Sequence, residues 1–164
     1  MDFDQFLPAT LTGGCRLRPL GPNDCDRMMD YFAGLGEVSR GFFHPHPFDR
    51  ENAERICRDD DAGTFRLVAE SEGRVIGYAW FSRASEGHAT VGIGIADAYQ
   101  GRGLGRSLME ALTAEARRRQ LPGLRLTVYE DNERAVELYS SCGYRVVGRE
   151  GRQHVMDLVL EGKE

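Results

Sequence analysis

The residues whose types and spacing could do chemistry run from Val91 to Arg106, VGIGIADAYQGRGLGR. Val91, Ile93 and Ile95 alternate with Gly92 and Gly94, the two-residue period of a pleated strand. Past Asp97 the alternation stops. Gln100-Gly-Arg-Gly-Leu-Gly105 then leads into a repeat that puts Leu104, Leu108, Ala111 and Leu112 on one helical face. Gly101, Gly103 and Gly105 strip three side chains from this strand-to-helix corner, so backbone N–H groups can converge closely on a ligand. The first N–H groups of a helix lack internal partners and sit at the positive end of its dipole, which suits an anion. Arg102 and Arg106 add charge. The chemistry supported is the seating of a phosphate or pyrophosphate; the plain alternative is a glycine turn that binds nothing.

Three phosphate loops compete. A Walker loop requires G-x-x-x-x-G-K-[ST], but Arg106 rather than Lys precedes Ser107. A dinucleotide fingerprint requires G-x-G-x-x-G; Gly101 and Gly103 fit, and Arg106 takes the third position. The pattern Q/R-x-x-G-x-G/A is met by Gln100, Gly103 and Gly105, and in this the stretch resembles the acyl-CoA loop of the GNAT superfamily of N-acetyltransferases. A second stretch, Asn132-x-x-Ala135-x-x-Leu138-Tyr139-x-x-x-Gly143-Tyr144, resembles that family's N-x-x-A-x-x-[LF]-Y-x-x-x-G-[FY]. Ala135, Leu138 and Tyr139 lie three and four apart and share one helix neighbourhood; by themselves they could equally be core contacts. The resemblance covers roughly residues 64–160. Residues 1–60 match only in general layout.

The resemblance implies a mechanism. The strand before the loop splays from the next at a bulge, and the pantetheine arm of acetyl-CoA pairs with the exposed backbone like an added strand. That assigns Ile93, Gly94 and Ile95 to the arm, with the Ile95 N–H placed to stabilise a developing oxyanion. The pyrophosphate falls to Gln100, Gly101, Arg102, Gly103, Leu104, Gly105 and Arg106. Asn132 binds the arm, and Tyr139 protonates the departing thiolate. Acetyl-CoA enters as the acyl donor; no metal is expected. The implied reaction moves its acetyl group to a primary amine by direct attack in a ternary complex. A non-catalytic acyl-CoA sensor or interaction module, and more remotely a nucleotide-binding regulator, are the other readings.

The acceptor amine must be neutral to attack. Family members commonly carry a carboxylate about eleven residues before the loop's first position, which here is Ala89. His88 is one residue away and is taken as a candidate base, although strand alternation turns it to the other face; Glu86 is also near. The segment Phe42-Phe-His-Pro-His-Pro-Phe48 stands apart, because Pro45 and Pro47 forbid continuous helix and stiffen it. Phe42, Phe43, His44 and His46 are assigned to the acceptor site, as a wall with titratable groups. The bland alternative is a surface loop anchored by its phenylalanines.

The elements around these residues read as one α/β domain. Residues 1–13 are expected as a loosely ordered arm, 14–62 as the acceptor side and 63–160 as the acyl-CoA core. Strands are expected at Cys15 to Pro19, Thr64 to Glu70, Arg74 to Ser82, about His88 to Ile95, Leu124 to Val128, Tyr144 to Gly148 and His154 to Leu160. Helices are expected around Met28, from Asp49, from the glycine loop to about Gln120, and from Asn132 to Cys142. The fold class expected is a central mixed, mostly antiparallel sheet of six to seven strands, splayed at a bulge, with helices on both faces. The arginines 117–119 read as a solvated helix end.

Composition reads as that of an ordinary soluble globule: 164 residues, 41% hydrophobic and 29% charged. A net charge of −5 gives no general attraction to nucleic acid or anionic membrane. Cys15, Cys25, Cys57 and Cys142 form no C-x-x-C pair or zinc spacing, so reduced thiols are expected. With no signal pattern at MDFDQF and no long apolar run, the expected setting is the cytoplasm, as a monomer or homodimer, with a small-molecule or peptide amine as partner.

Overall fold

The computed structural model describes residues 1–83 and 87–160. Its strands are β1 (Cys15–Pro19), β2 (Thr64–Ser71), β3 (Arg74–Ser82), β4 (Ala89–Ile95), β5 (Gly123–Tyr129), β6 (Arg145–Glu150) and β7 (Gln153–Val159). The helices are α1 (Cys25–Ala33), α2 (Glu37–Phe42), α3 (Arg50–Arg58), α4 (Leu104–Arg118) and α5 (Glu133–Ser141). The strands form one sheet in the order β1-β2-β3-β4-β5-β7-β6. Only β4 and β5 pair in parallel, because the chain must return along α4 before entering β5. The β2–β3 hairpin closes on Glu72 and Gly73, both left-handed, at φ 50° and 75°. Such a two-residue turn matches the twist of its strands.

Each face of the sheet carries its own apolar layer. On one, α4 lays Leu104, Leu108, Met109, Ala111, Leu112 and Ala116 against Leu67, Ala79, Phe81, Leu124 and Leu126. The i, i+4 and i+7 spacing of those residues creates this stripe. On the other, α1 and α3 pack Met28, Tyr31, Phe32 and Ile56 on Val68, Val75 and Tyr78. Burying one such side chain is worth about 1.5–3 kcal/mol, so α4 is held by packing more than by helix propensity.

Two expectations need correction, and one element is new. Residues 1–13 are no loose arm: a 3₁₀ turn at Asp4–Phe6 puts Phe3 and Leu7 into the α4-side core. Asp4 Oδ1 accepts a bond from the Leu17 N–H at 2.6 Å. The arginine-rich end of α4 is only partly solvated. Arg118 and Arg119 both bond Glu115, which is buried and held below the usual carboxylate range by Arg118 first, with Arg119 assisting. Arg119 also lies over the rings of Phe65 and Phe81. Finally, α2 was not anticipated. It is a six-residue helix without a buried residue of its own, preceded by Gly36 and containing Gly41, so it leaves little periodicity to read. Tertiary bonds hold it, among them those from the Arg40 guanidinium to the carbonyls of Leu35 and Phe32.

Candidate active site

The site begins where β4 and β5 part. They pair at Ala89↔Leu124 and Thr90↔Arg125 and not beyond. Against β3, in contrast, β4 keeps its register from Thr90 to Ile95. The gap opens on the β5 side of β4 without a register shift in the β3–β4 ladder. Ala96 N–H donates to Ile76 O, which makes Ile76↔Ala96 a hydrogen-bonded pair. By antiparallel alternation Gly92 and Gly94 bond β3, while the peptide groups of Ile93 and Ile95 turn towards the gap. Both groups of Ile93 and the N–H of Ile95 are free edge that an extended amide chain could pair with, while the Ile95 carbonyl accepts from Gln100 Nε2. The Gly94 carbonyl also accepts a bond from the buried Tyr31 Oη at 2.8 Å.

The glycine corner follows. Gly101 and Gly103 are left-handed, at φ 78° and 86°. Gly103 is the residue before the first turn of α4, and Ser107 N–H donates back to its carbonyl. The N–H groups of Leu104, Gly105 and Arg106 thus have no partner within the helix. The Leu104 side chain is core, so only its backbone can serve a ligand. Arg102 stacks over the Tyr99 ring at 5.2 Å. Arg106 donates to Ser141 Oγ at 2.6 Å, tying α4 to α5. Gln100 Nε2 donates to Ile95 O and to Ser39 Oγ, each at 3.1 Å, which links the corner to both β4 and α2.

Gap and corner open into one cavity of about 670 Å³. Ile93, Gly94, Ile95, Gln100, Gly101, Gly103, Gly105, Arg106, Asn132 and Tyr139 line it; Arg102 and Leu104 do not. Asn132 Oδ1 caps α5 by accepting from the Ala135 N–H at 3.4 Å. Tyr139 is 8% exposed. Burial pushes its hydroxyl well above the ordinary tyrosine range, so it holds its proton at neutral pH. Asn132 and Tyr139, at the cap and in the body of α5, share this space with Gly103, about 30 residues earlier, because α5 packs its Leu138 against Gly105.

The acceptor-side candidates separate. Phe42 and Phe43 line the cavity. Phe43 sits on the α1-side face of β4, where a Cβ at Gly94 would come within 2.6 Å of its ring. His44 lies outside the lining, with Nε2 3.0 Å from Tyr129 Oη. His46 packs edge-on against Phe32 and Phe48, and burial lowers its pKa. It belongs to the loop's anchor, and its assignment to the acceptor site is corrected. So is that of His88 as a base. It sits at the paired end of β4, beside Gly123 and 3.9 Å from Asp157, six residues before the open end at Gly94. Ala89 is fully buried in the core. Glu86 lies outside the described residues.

Several lining or supporting residues escaped the sequence reading. Leu35 and Val38 reach the cavity from the α1–α2 region. Asp97 pins the start of α2, accepting from Ser39 Oγ at 2.6 Å and the Gly36 N–H at 3.1 Å. Arg134 hangs over Gly101. No local pattern marks them; their roles arise from contacts across about 30 to 60 residues of chain.

A family model described as the Acetyltransferase (GNAT) family matches residues 29–144, well over half of the chain. A mycothiol acetyltransferase of Renibacterium salmoninarum is 36% identical over 157 residues, covering 88% of this chain and 45% of that protein. The chain spans about half the length of such curated relatives. The GNAT domain of S. lividans PAT shares the fold with a TM-score of 0.82 at 21% identity, over 94% of this chain and 99% of that one. The Salmonella typhimurium yncA structure, solved with its cofactor acetyl-CoA, gives 0.76 at 24% identity, over 93% and 97%. With seven strands in this order and a splayed β4–β5 pair over a glycine-rich helix start, the chain belongs to the GNAT family of acetyltransferases.

Proposed function

We propose that this chain transfers an acetyl group from acetyl-CoA to a primary amine by direct attack within a ternary complex. The observation that carries the reading is convergence: one cavity is bounded by free strand edge, glycine-rich helix start and a protonated tyrosine. The donor-side residues fit an anionic, amide-bearing donor. The N–H groups of Gly101, Arg102, Gly103, Leu104, Gly105 and Arg106 receive the pyrophosphate. The peptide groups of Ile93 and Ile95 and the Asn132 amide hold the pantetheine arm. Ile95 N–H stabilises negative charge developing on the thioester oxygen, and the Tyr139 hydroxyl gives its proton to the leaving sulfur.

The test is calorimetric titration with acetyl-CoA and with ATP, followed by an amine screen with thiol detection. Acetyl-CoA binding with amine-dependent thiol release supports the reading. Preference for ATP sinks it. Acetyl-CoA binding without release for any amine favours the sensor reading, whose support is that the usual carboxylate position is filled by the buried Ala89.

A further inference from the structure

We infer that the acceptor is a weakly basic, α-type amine carrying an apolar group close to the nitrogen; the inference rests on the acetyl-transfer reading above. Its first support is the shape of the α2 side of the cavity. Val38 and Phe42 stand four apart on one face of α2 and line the cavity together with Leu35 and Phe43. They are 75% and 38% exposed. A six-residue helix that leaves two large apolar side chains in water beside a binding cavity has a surface still to be covered. The floor facing them is β4, with no side chain at Gly92 or Gly94. Rings fill that space: Trp80 lies where a Cβ on Gly92 would project, and Phe43 where one on Gly94 would. The Gly94 carbonyl is engaged by Tyr31. This side is therefore an apolar shelf. Asp97, which accepts from Ser39 and Gly36, is not among the residues that line the cavity, so it presents no charge to an acceptor on this side.

The second support is proton chemistry. The titratable side chains lining the cavity are Tyr99, Arg106, Asp131, Glu133, Arg134 and Tyr139. Arg106 and Arg134 lie at the glycine corner and cannot accept a proton. Tyr139 keeps its own proton. Asp131 and Glu133 are exposed on the β5–α5 corner, with Asp131 bonded to Arg152 at 3.3 Å. An exposed carboxylate is a weak base towards an ammonium group. Among the described residues, no buried carboxylate or imidazole lines the cavity. The amine must then arrive neutral. At pH 7 about a tenth of an α-amine is neutral, against roughly four in ten thousand of a lysine-type amine, a ratio of about 300.

The experiment measures kcat/KM for phenylalaninamide, glycinamide, phenethylamine and spermidine from pH 6 to 10, with acetyl-CoA affinity measured separately by calorimetry. Phenylalaninamide should lead. At pH 7 it should exceed phenethylamine, which has the same ring on a more basic nitrogen, by roughly 10- to 300-fold, since greater nucleophilicity offsets part of the ionisation difference. Each profile should rise through the pKa of its own amine. Val38→Ser and Phe43→Ala should each lower the phenylalaninamide-to-glycinamide ratio of kcat/KM several-fold. Val38 is exposed, so its variant tests the shelf even if the Phe43 variant fails to fold. One shared midpoint for all four amines would reveal a base on the protein and overturn the inference. A preference for spermidine, or a phenylalaninamide-to-glycinamide ratio that is unchanged in Val38→Ser, would do the same. In those cases acetyl-CoA still binds and thiol is still released, so the transfer reading stands. Absence of acetyl-CoA binding overturns both.

Discussion

Replacing Tyr139 with Phe separates chemistry from architecture with unusual clarity in this site. The hydroxyl belongs to a side chain 8% exposed that lines the cavity, and it makes no hydrogen bond among the described residues. Removing it forfeits no internal bond, so folding stability should change by less than ~1 kcal/mol. Burial keeps it protonated, so the wild type should show no loss of rate from tyrosine ionisation between pH 7 and 10. If its proton goes to the leaving sulfur, the variant should lose about 10²-fold in maximal rate, or about 2.7 kcal/mol of barrier. A free thiol with pKa about 8.5 leaves tolerably well unaided, so activity should not vanish. Acetyl-CoA affinity should stay within a few-fold, because the hydroxyl matters chiefly when sulfur carries charge. The assay is a triplet: melting temperature, calorimetric affinity and maximal rate with chemistry rate-limiting. A Phe variant at full speed removes Tyr139 from the mechanism. One that melts early with its rate intact makes it a structural residue. Tyr31→Phe is the internal contrast: it loses a real bond to Gly94 O and should cost ~1 kcal/mol of stability.

Other outcomes can be checked with simple variants. Gly103→Val forces a β-branched residue to φ 86°, a strain of at least ~1–2 kcal/mol, and puts a side chain in the corner; acetyl-CoA affinity should fall steeply, and unchanged affinity in a folded variant refutes the pyrophosphate seat. Arg18→Met should destabilise by roughly 2–3 kcal/mol in urea titration, since Asp24, 3% exposed, keeps only Arg27 and the Gly21 N–H; a loss below ~0.5 kcal/mol would show the pair to be incidental. In the wild type, burial pushes Asp24 up, but Arg18 and Gly21 outweigh it and hold it below the usual carboxylate range. Its contribution is complete above the unfolded carboxylate pKa and is lost as pH falls through the folded value. At the alkaline end the sign reverses: burial raises Tyr31, Tyr139, Tyr144 and, to about 12, Tyr78. Stability from these phenols should hold below pH 10 and decline as pH climbs from 10 to 12, measured by denaturant midpoints; a flat profile there contradicts their burial.

The sequence by itself determined whatever is written in short-range periodicity. Alternation at Val91, Ile93 and Ile95 marks β4, the Leu104–Leu108–Leu112 stripe marks α4, and glycines at 101, 103 and 105 mark the corner between them. These features depend on backbone geometry within a few residues, and that geometry leaves a pattern. Tertiary structure decided the rest. Ala89 and His88 are adjacent in sequence, but which end of β4 is open depends on where β5 stops pairing, and nothing near either residue encodes that. His44, His46, Phe42 and Phe43 look like one aromatic segment. The fold sends the phenylalanines to the cavity, His46 to an anchor between Phe32 and Phe48, and His44 to Tyr129. The helix α2 that carries Val38 exists because Asp97 and Gln100, about 60 residues away, bond Ser39. Six residues cannot recover helix nucleation by local bonds alone, so a segment of that length takes its shape from its neighbours.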